Sequence, residues 1–161
     1  MDTPTGGVDP IWYERFQLLA AQAYSSSTYP NVAMSSSGGT PPTFTAPALT
    51  SNFSKIGKLV FMNVGGNNVA GGTPGAGAQQ LSISLPLPVA ADSLGGVEVA
   101  GTFANAGTEG ICLVRLAAGA VTAPLLQQAV SGSKVNIVAL TCGDFNNVSR
   151  TLSLQFFYPV D

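Results

Sequence analysis

Phe53-Ser54-Lys55-Ile56-Gly57-Lys58-Leu59-Val60-Phe61-Met62-Asn63-Val64 is the stretch whose reading decides the fold. From residue 59 to 64 apolar side chains occupy both alternating faces, Leu59 and Phe61 on one, Val60, Met62 and Val64 on the other. A strand that is apolar on both sides is expected to be covered on both sides, which places it in the middle of a β structure. Gly57 interrupts the side-chain ladder just before it, as glycines do at a bulge or where another backbone comes close.

Moving toward the C-terminus, residues 65–78 carry six glycines without periodicity and are expected to form a long loop. Residues 80–87 alternate, with Leu81, Ile83, Leu85 and Leu87 inward, and Pro86 and Pro88 place the end of that strand at an edge. Val97, Val99 and Phe103 predict a half-buried strand. Residues 111–116 and 135–142 are more continuously apolar and are expected to be central strands. Residues 148–158 alternate again, with Val148, Leu152, Leu154, Phe156 and Tyr158 on one face. Gly95-Gly96, Asn105-Ala106-Gly107, Gly143-Asp144 and Asn146-Asn147 punctuate these strands at short intervals. The expected fold class is therefore mainly β, an antiparallel β-sandwich or jelly-roll-like module over residues 43–161.

Toward the N-terminus the pattern changes. Residues 1–8 read as an arm, and Asp9-Pro10 as a helix start, Asp9 capping exposed amides and Pro10 suiting the first helical position. Trp12, Phe16, Leu19 and Ala23 then recur at the spacing of one narrow helical seam, opposite Glu14 and Gln17. A helix of that length spans about 22 Å and is marginal alone in water, so its aromatic face needs a partner surface. Residues 25–42, rich in Ser, Gly and Pro, read as an extended linker. The expected organisation is thus an arm and anchoring helix over 1–24, a linker over 25–42 and a β module over 43–161.

Composition narrows the function classes. Eight acidic and six basic residues make 9% of the 161-residue chain, against about 25% in an ordinary domain, while hydrophobic residues make 45%. That is not the composition of a disordered chain. A polar but uncharged surface solubilises a monomer poorly, so partner subunits are expected to cover much of it. A net charge of −2 with dispersed basic residues gives no electrostatic footprint for nucleic acid. No apolar run is long enough for membrane insertion, and the N-terminus lacks the form of a signal peptide, so synthesis in a cytoplasm is expected. Cys112 and Cys142 lack metal-ligand or CxxC spacing and read as buried thiols, with a disulfide or a metal role left open.

The chain contains no histidine, which removes Ser-His-Asp and Cys-His catalysis and the commonest transition-metal ligand. Asp92, Glu98, Glu109 and Asp144 are isolated along the chain, although Glu98 and Glu109 could meet in space. The glycine-rich stretch from Gly65 to Gly72 has no Lys-Ser/Thr after it and reads as a surface loop rather than a phosphate cradle. No catalytic residue, cofactor site or metal site is expected.

The pattern Phe53-x-Lys55-Ile56-Gly57-x-x-Val60 resembles the small β module at the C-terminus of many bacteriophage tail fibres and tailspikes. The flanks match as well: a Thr/Pro-rich stretch, Thr43-Phe44-Thr45-Ala46-Pro47, the Leu/Pro-rich Leu85-Pro86-Leu87-Pro88, and a closing Phe157-Tyr158-Pro159. The resemblance spans residues 43–161 and makes Phe53, Ile56, Gly57, Leu59 and Val60 the core motif of the module. It implies a homotrimeric virion structural protein, a short tail fibre or tip. Trp12, Phe16 and Leu19 would attach it to other virion proteins, and the knob would meet a glycan or protein of the host surface for host attachment. A capsid decoration or head-fibre protein is the alternative, and a small polysaccharide-degrading enzyme a third, disfavoured reading.

Overall fold

The computed structural model describes residues 25–29, 32–44, 49–68, 72–106, 108–131, 133–147 and 149–161. The expected helix, with Trp12, Phe16 and Leu19, lies outside the described residues. Ten strands are described: β1 (Ser25–Thr28), β2 (Met34–Ser36), β3 (Thr50–Ile56), β4 (Leu59–Asn68), β5 (Leu81–Ser84), β6 (Gly96–Asn105), β7 (Thr108–Leu116), β8 (Thr122–Ser131), β9 (Lys134–Ala139) and β10 (Arg150–Pro159). A single 3-10 turn, Cys142–Phe145, precedes β10. Every pairing is antiparallel, in the order β1-β3-β4-β10-β6-β7-β8-β5-β2, with β9 also on β8.

This sheet must curl. β1 and β2 lie at opposite ends of the strand order, yet residues 29–33 alone join them. Six Cα steps reach at most about 20 Å, whereas the same strands laid flat would separate their edges by about 40 Å. Tyr29 closes the gap, its hydroxyl donating to Ser84 Oγ at 3.1 Å and reaching the Leu85 carbonyl at 3.3 Å. The curl wraps one apolar face into a core. Leu152, Leu154, Phe156 and Tyr158 of β10, Val60, Met62 and Val64 of β4, and Leu81 and Ile83 of β5 all point into it. Tyr158 is fully buried; its hydroxyl donates to the Leu87 carbonyl at 3.1 Å, and burial pushes its phenol up to about 12.

β4, the second strand of the β3–β4 hairpin, is covered on one side only. β4 sits between β3 and β10, as a central strand should, but Phe61 is 45% exposed. Gly57 marks neither a bulge nor a close approach: nothing lies within 4 Å of the position its Cβ would take. It is the first residue of a two-residue turn closed by the Ile56–Leu59 pair, with φ 58. Positive φ at the first turn position alone is the II′ arrangement, whose twist matches that of a hairpin.

Four other expectations are corrected. Val97 and Val99 do not share a face with Phe103, because β6 carries a bulge between Val99 and Gly101 that reverses the alternation. A Cβ on Gly101 would lie 2.0 Å from the Ser153 carbonyl oxygen, so glycine is what lets β6 approach β10 there. The apolar run at 135–142 is no central strand: β9 pairs with β8 alone, and Val135, Ile137 and Val138 are exposed. Residues 25–42 are extended but form more than a spacer, since β1 pairs with β3 and β2 with β5. The glycine-rich stretch also begins as strand, because Gly65 and Gly66 continue β4 opposite Ser153 and Leu152.

Candidate functional site

The outward face of β3, β4 and β10 carries the most organised exposed surface. Alternation turns Asn52 and Ser54 outward on β3, Phe61 and Asn63 on β4, and Gln155 and Phe157 on β10. The turn at Gly57 sets the β3–β4 register, placing Asn52 opposite Asn63, and the separate pairing of β4 with β10 places Asn63 opposite Gln155. Three amides therefore stand side by side across three strands, over about 10 Å at the usual strand spacing. The adjacent row is Ser54, Phe61 and Phe157. The two rings, 45% and 49% exposed, lie with centroids 6.0 Å apart and planes tilted by 41°.

Together these side chains line a shallow depression of about 280 Å³ that has no charged residue in its wall. Asn52, Asn63 and Gln155 make no side-chain hydrogen bond to another described residue. The depression's border is held from β6, where Glu98 accepts a hydrogen bond from the Phe157 N–H. Partial burial of Glu98 raises its carboxyl above the ordinary value, and the bond from Phe157 opposes that rise.

The expected core motif is divided by the hairpin. Val60 is fully buried and Phe53 packs half-buried against the core. Ile56 is exposed, Leu59 half-buried, and both flank the turn made by Gly57 and Lys58. Cys112 and Cys142 are both free and fully buried, and burial pushes the Cys112 thiol up to about 12, far from a reactive thiolate. Glu98 and Glu109 do not meet: Glu98 pairs with Val114 and Glu109 with Ala104, toward opposite ends of the β6–β7 hairpin. Among the described residues no cluster of His, Cys, Asp and Glu side chains is placed to hold a metal ion.

Two features escape a reading of the sequence. The amide row depends on a register spanning 52, 63 and 155, which no local pattern announces. Arg150 is the other: it is 1% exposed at the start of β10. Its Nη1 donates to the Asn147 carbonyl at 2.6 Å and its Nη2 to the Thr73 carbonyl at 2.9 Å and to that of Thr43. The guanidinium also lies 5.5 Å from the centroid of the Phe44 ring. One cation thus ties three separate loops together, a structural rather than a binding role.

A second exposed apolar surface runs along β9. Its Ile137 is 53% exposed, and Val135 and Val138 are open as well. The side of β9 away from β8 pairs with no described strand. Comparison with protein-family models, with curated proteins and with solved structures finds no match.

Proposed function

We propose that this chain is a bacteriophage virion structural protein, a short tail fibre or fibre tip. In this reading residues 1–24 attach to other virion proteins through Trp12, Phe16 and Leu19, and the β module meets the host surface as a homotrimer. It is not an enzyme and uses no cofactor. The two ends of the curled sheet, facing each other across one core, are read as the layers of a sandwich-like, jelly-roll-like module.

The observation that carries the proposal is β9, an edge strand that exposes Val135 and Ile137 on one face and Val138, beside Lys134 and Asn136, on the other. A soluble monomer ordinarily blunts such an edge with charge, proline or a covering loop. Only Lys134 does so here. An edge of this kind is suited to neighbouring copies, and the low charge of the chain favours the same assembly.

A capsid decoration or head-fibre protein is the second reading: the same exposed edge would then cement neighbouring capsomers. The experiment that separates them is antibody labelling of intact particles by electron microscopy. Label at the tail supports the fibre, label over the capsid lattice supports decoration, and particles without label overturn both. Trp12→Ala with Phe16→Ala should abolish incorporation while leaving the melting temperature of the free protein unchanged; unfolding of the free double variant would end the anchoring role.

A further inference from the structure

We propose that the face formed by Asn52, Ser54, Phe61, Asn63, Gln155 and Phe157 is a binding site for a neutral oligosaccharide. Each of the three amides offers two N–H donors and a carbonyl acceptor, and none is used by another described residue. An occupant must therefore donate and accept along one flat row, and beside that row it must offer an apolar surface to two exposed rings. A pyranose meets both demands, with hydroxyls around its rim and a C–H face that packs on aromatic carbons. The amide row is about as long as a disaccharide.

Charge decides the class of sugar. No Lys or Arg lines the depression to pair with a carboxylate, sulfate or phosphate, and Glu98 on its border repels anions when ionised. Sialylated, uronic and phosphorylated glycans are therefore excluded in favour of neutral hexoses and N-acetylhexosamines. An apolar surface such as that of β9 is a poor occupant of the same face. An apolar partner surface would bury three amides without partners, each costing more than its contacts return, whereas β9 offers copies a surface free of that cost.

The site deepens the fibre-tip reading and rests on it for the source of the glycan on a host surface. Its test does not depend on that source. The purified full chain would be applied to an array of neutral and acidic oligosaccharides, and neutral ligands then titrated at millimolar concentration by nuclear magnetic resonance of the Asn and Gln side-chain amides. Binding of neutral oligosaccharides that shifts the signals of Asn52, Asn63 and Gln155 is expected. Phe157→Ala should weaken it about tenfold, and Asn63→Ala should do so without touching any packed residue. No response to neutral sugars, preference for acidic ones, or dissociation of the oligomer by Phe157→Asp would overturn the assignment. Neutral-glycan binding by a protein missing from particles would leave the site intact and remove the fibre reading instead.

Discussion

The hydroxyl of Tyr29 donates to Ser84 Oγ at 3.1 Å, joining residues at opposite ends of the strand order. Ser84 Oγ in turn accepts from the Ala33 N–H at 2.8 Å, so the same oxygen fastens the chain between β1 and β2 to β5. The seam of the curled sheet is polar and small. Tyr29→Phe keeps the ring and removes the bond, and should cost about 1 kcal/mol, read as a lower midpoint in urea with an unchanged slope. An unchanged midpoint would show that packing alone closes the curl.

Arg150→Met should be the most damaging single change outside the apolar core. It leaves the carbonyls of Thr43, Thr73 and Asn147 without their shared donor, at a cost of about 3 kcal/mol or more. Arg150→Lys should rescue little, because one ammonium cannot reproduce a planar fork directed at three loops. Thermal melts of the two variants, compared with wild type, check both statements.

The turn at Gly57 makes an ordered prediction. With φ 58 and open space around the missing Cβ, the cost of a side chain there is conformational alone. Gly57→Ala should cost about 1 kcal/mol or more, and Gly57→Val more still, since β-branched residues resist positive φ. Equal melting temperatures across the series would contradict the turn assignment.

Glu98 supplies a pH dependence. Its folded-state pKa is raised above 4.5, chiefly by burial, so the folded chain holds this proton more tightly than the unfolded chain. The associated stability is fully present below about pH 4.5 and is lost as pH rises through the raised pKa. Glu98→Gln keeps an acceptor for the Phe157 N–H without the charge. It should match wild type in melting temperature at pH 4 and exceed it at pH 7. A constant offset at both pH values would assign the effect to packing.

At the exposed edge, Ile137→Lys places a charge where β9 is proposed to meet another copy. Native mass measurement should show the homotrimer shifting to monomer while the melting profile of the monomer is retained. A wild-type chain that is already monomeric at micromolar concentration would remove the assembly proposal.

How much of this was legible beforehand differs strand by strand. β5 and β10 were plain, because Leu81 and Ile83, and Leu152 to Tyr158, alternate with polar residues and one face is buried. β9 misled because continuous apolarity reads as burial, while the strand sits at an edge with Val135, Ile137 and Val138 exposed. β1 and β2 were hidden in serine-rich sequence, whose strands are held by backbone pairing rather than by an apolar period. The bulge at Ala100 reversed the face of β6 without any local mark except Gly101. Phe61 and Phe157 were visible as aromatic residues on strands, yet their pairing, and the amide row beside them, exist only through registers between distant segments.

The strand order also fixes when each partner becomes available during synthesis. Leu59 pairs with Pro159, a hundred residues later in the chain, and Met34 with Ile83. β4 thus emerges from the ribosome long before β10 can cover its flank, and loop closure over such a distance is slow. Until then the β3–β4 hairpin, with Phe61 and Met62 on its two faces, is a nascent ribbon vulnerable to mispairing. β10 acts as a late keystone, so a chain cut before Arg150 should be unable to set its middle.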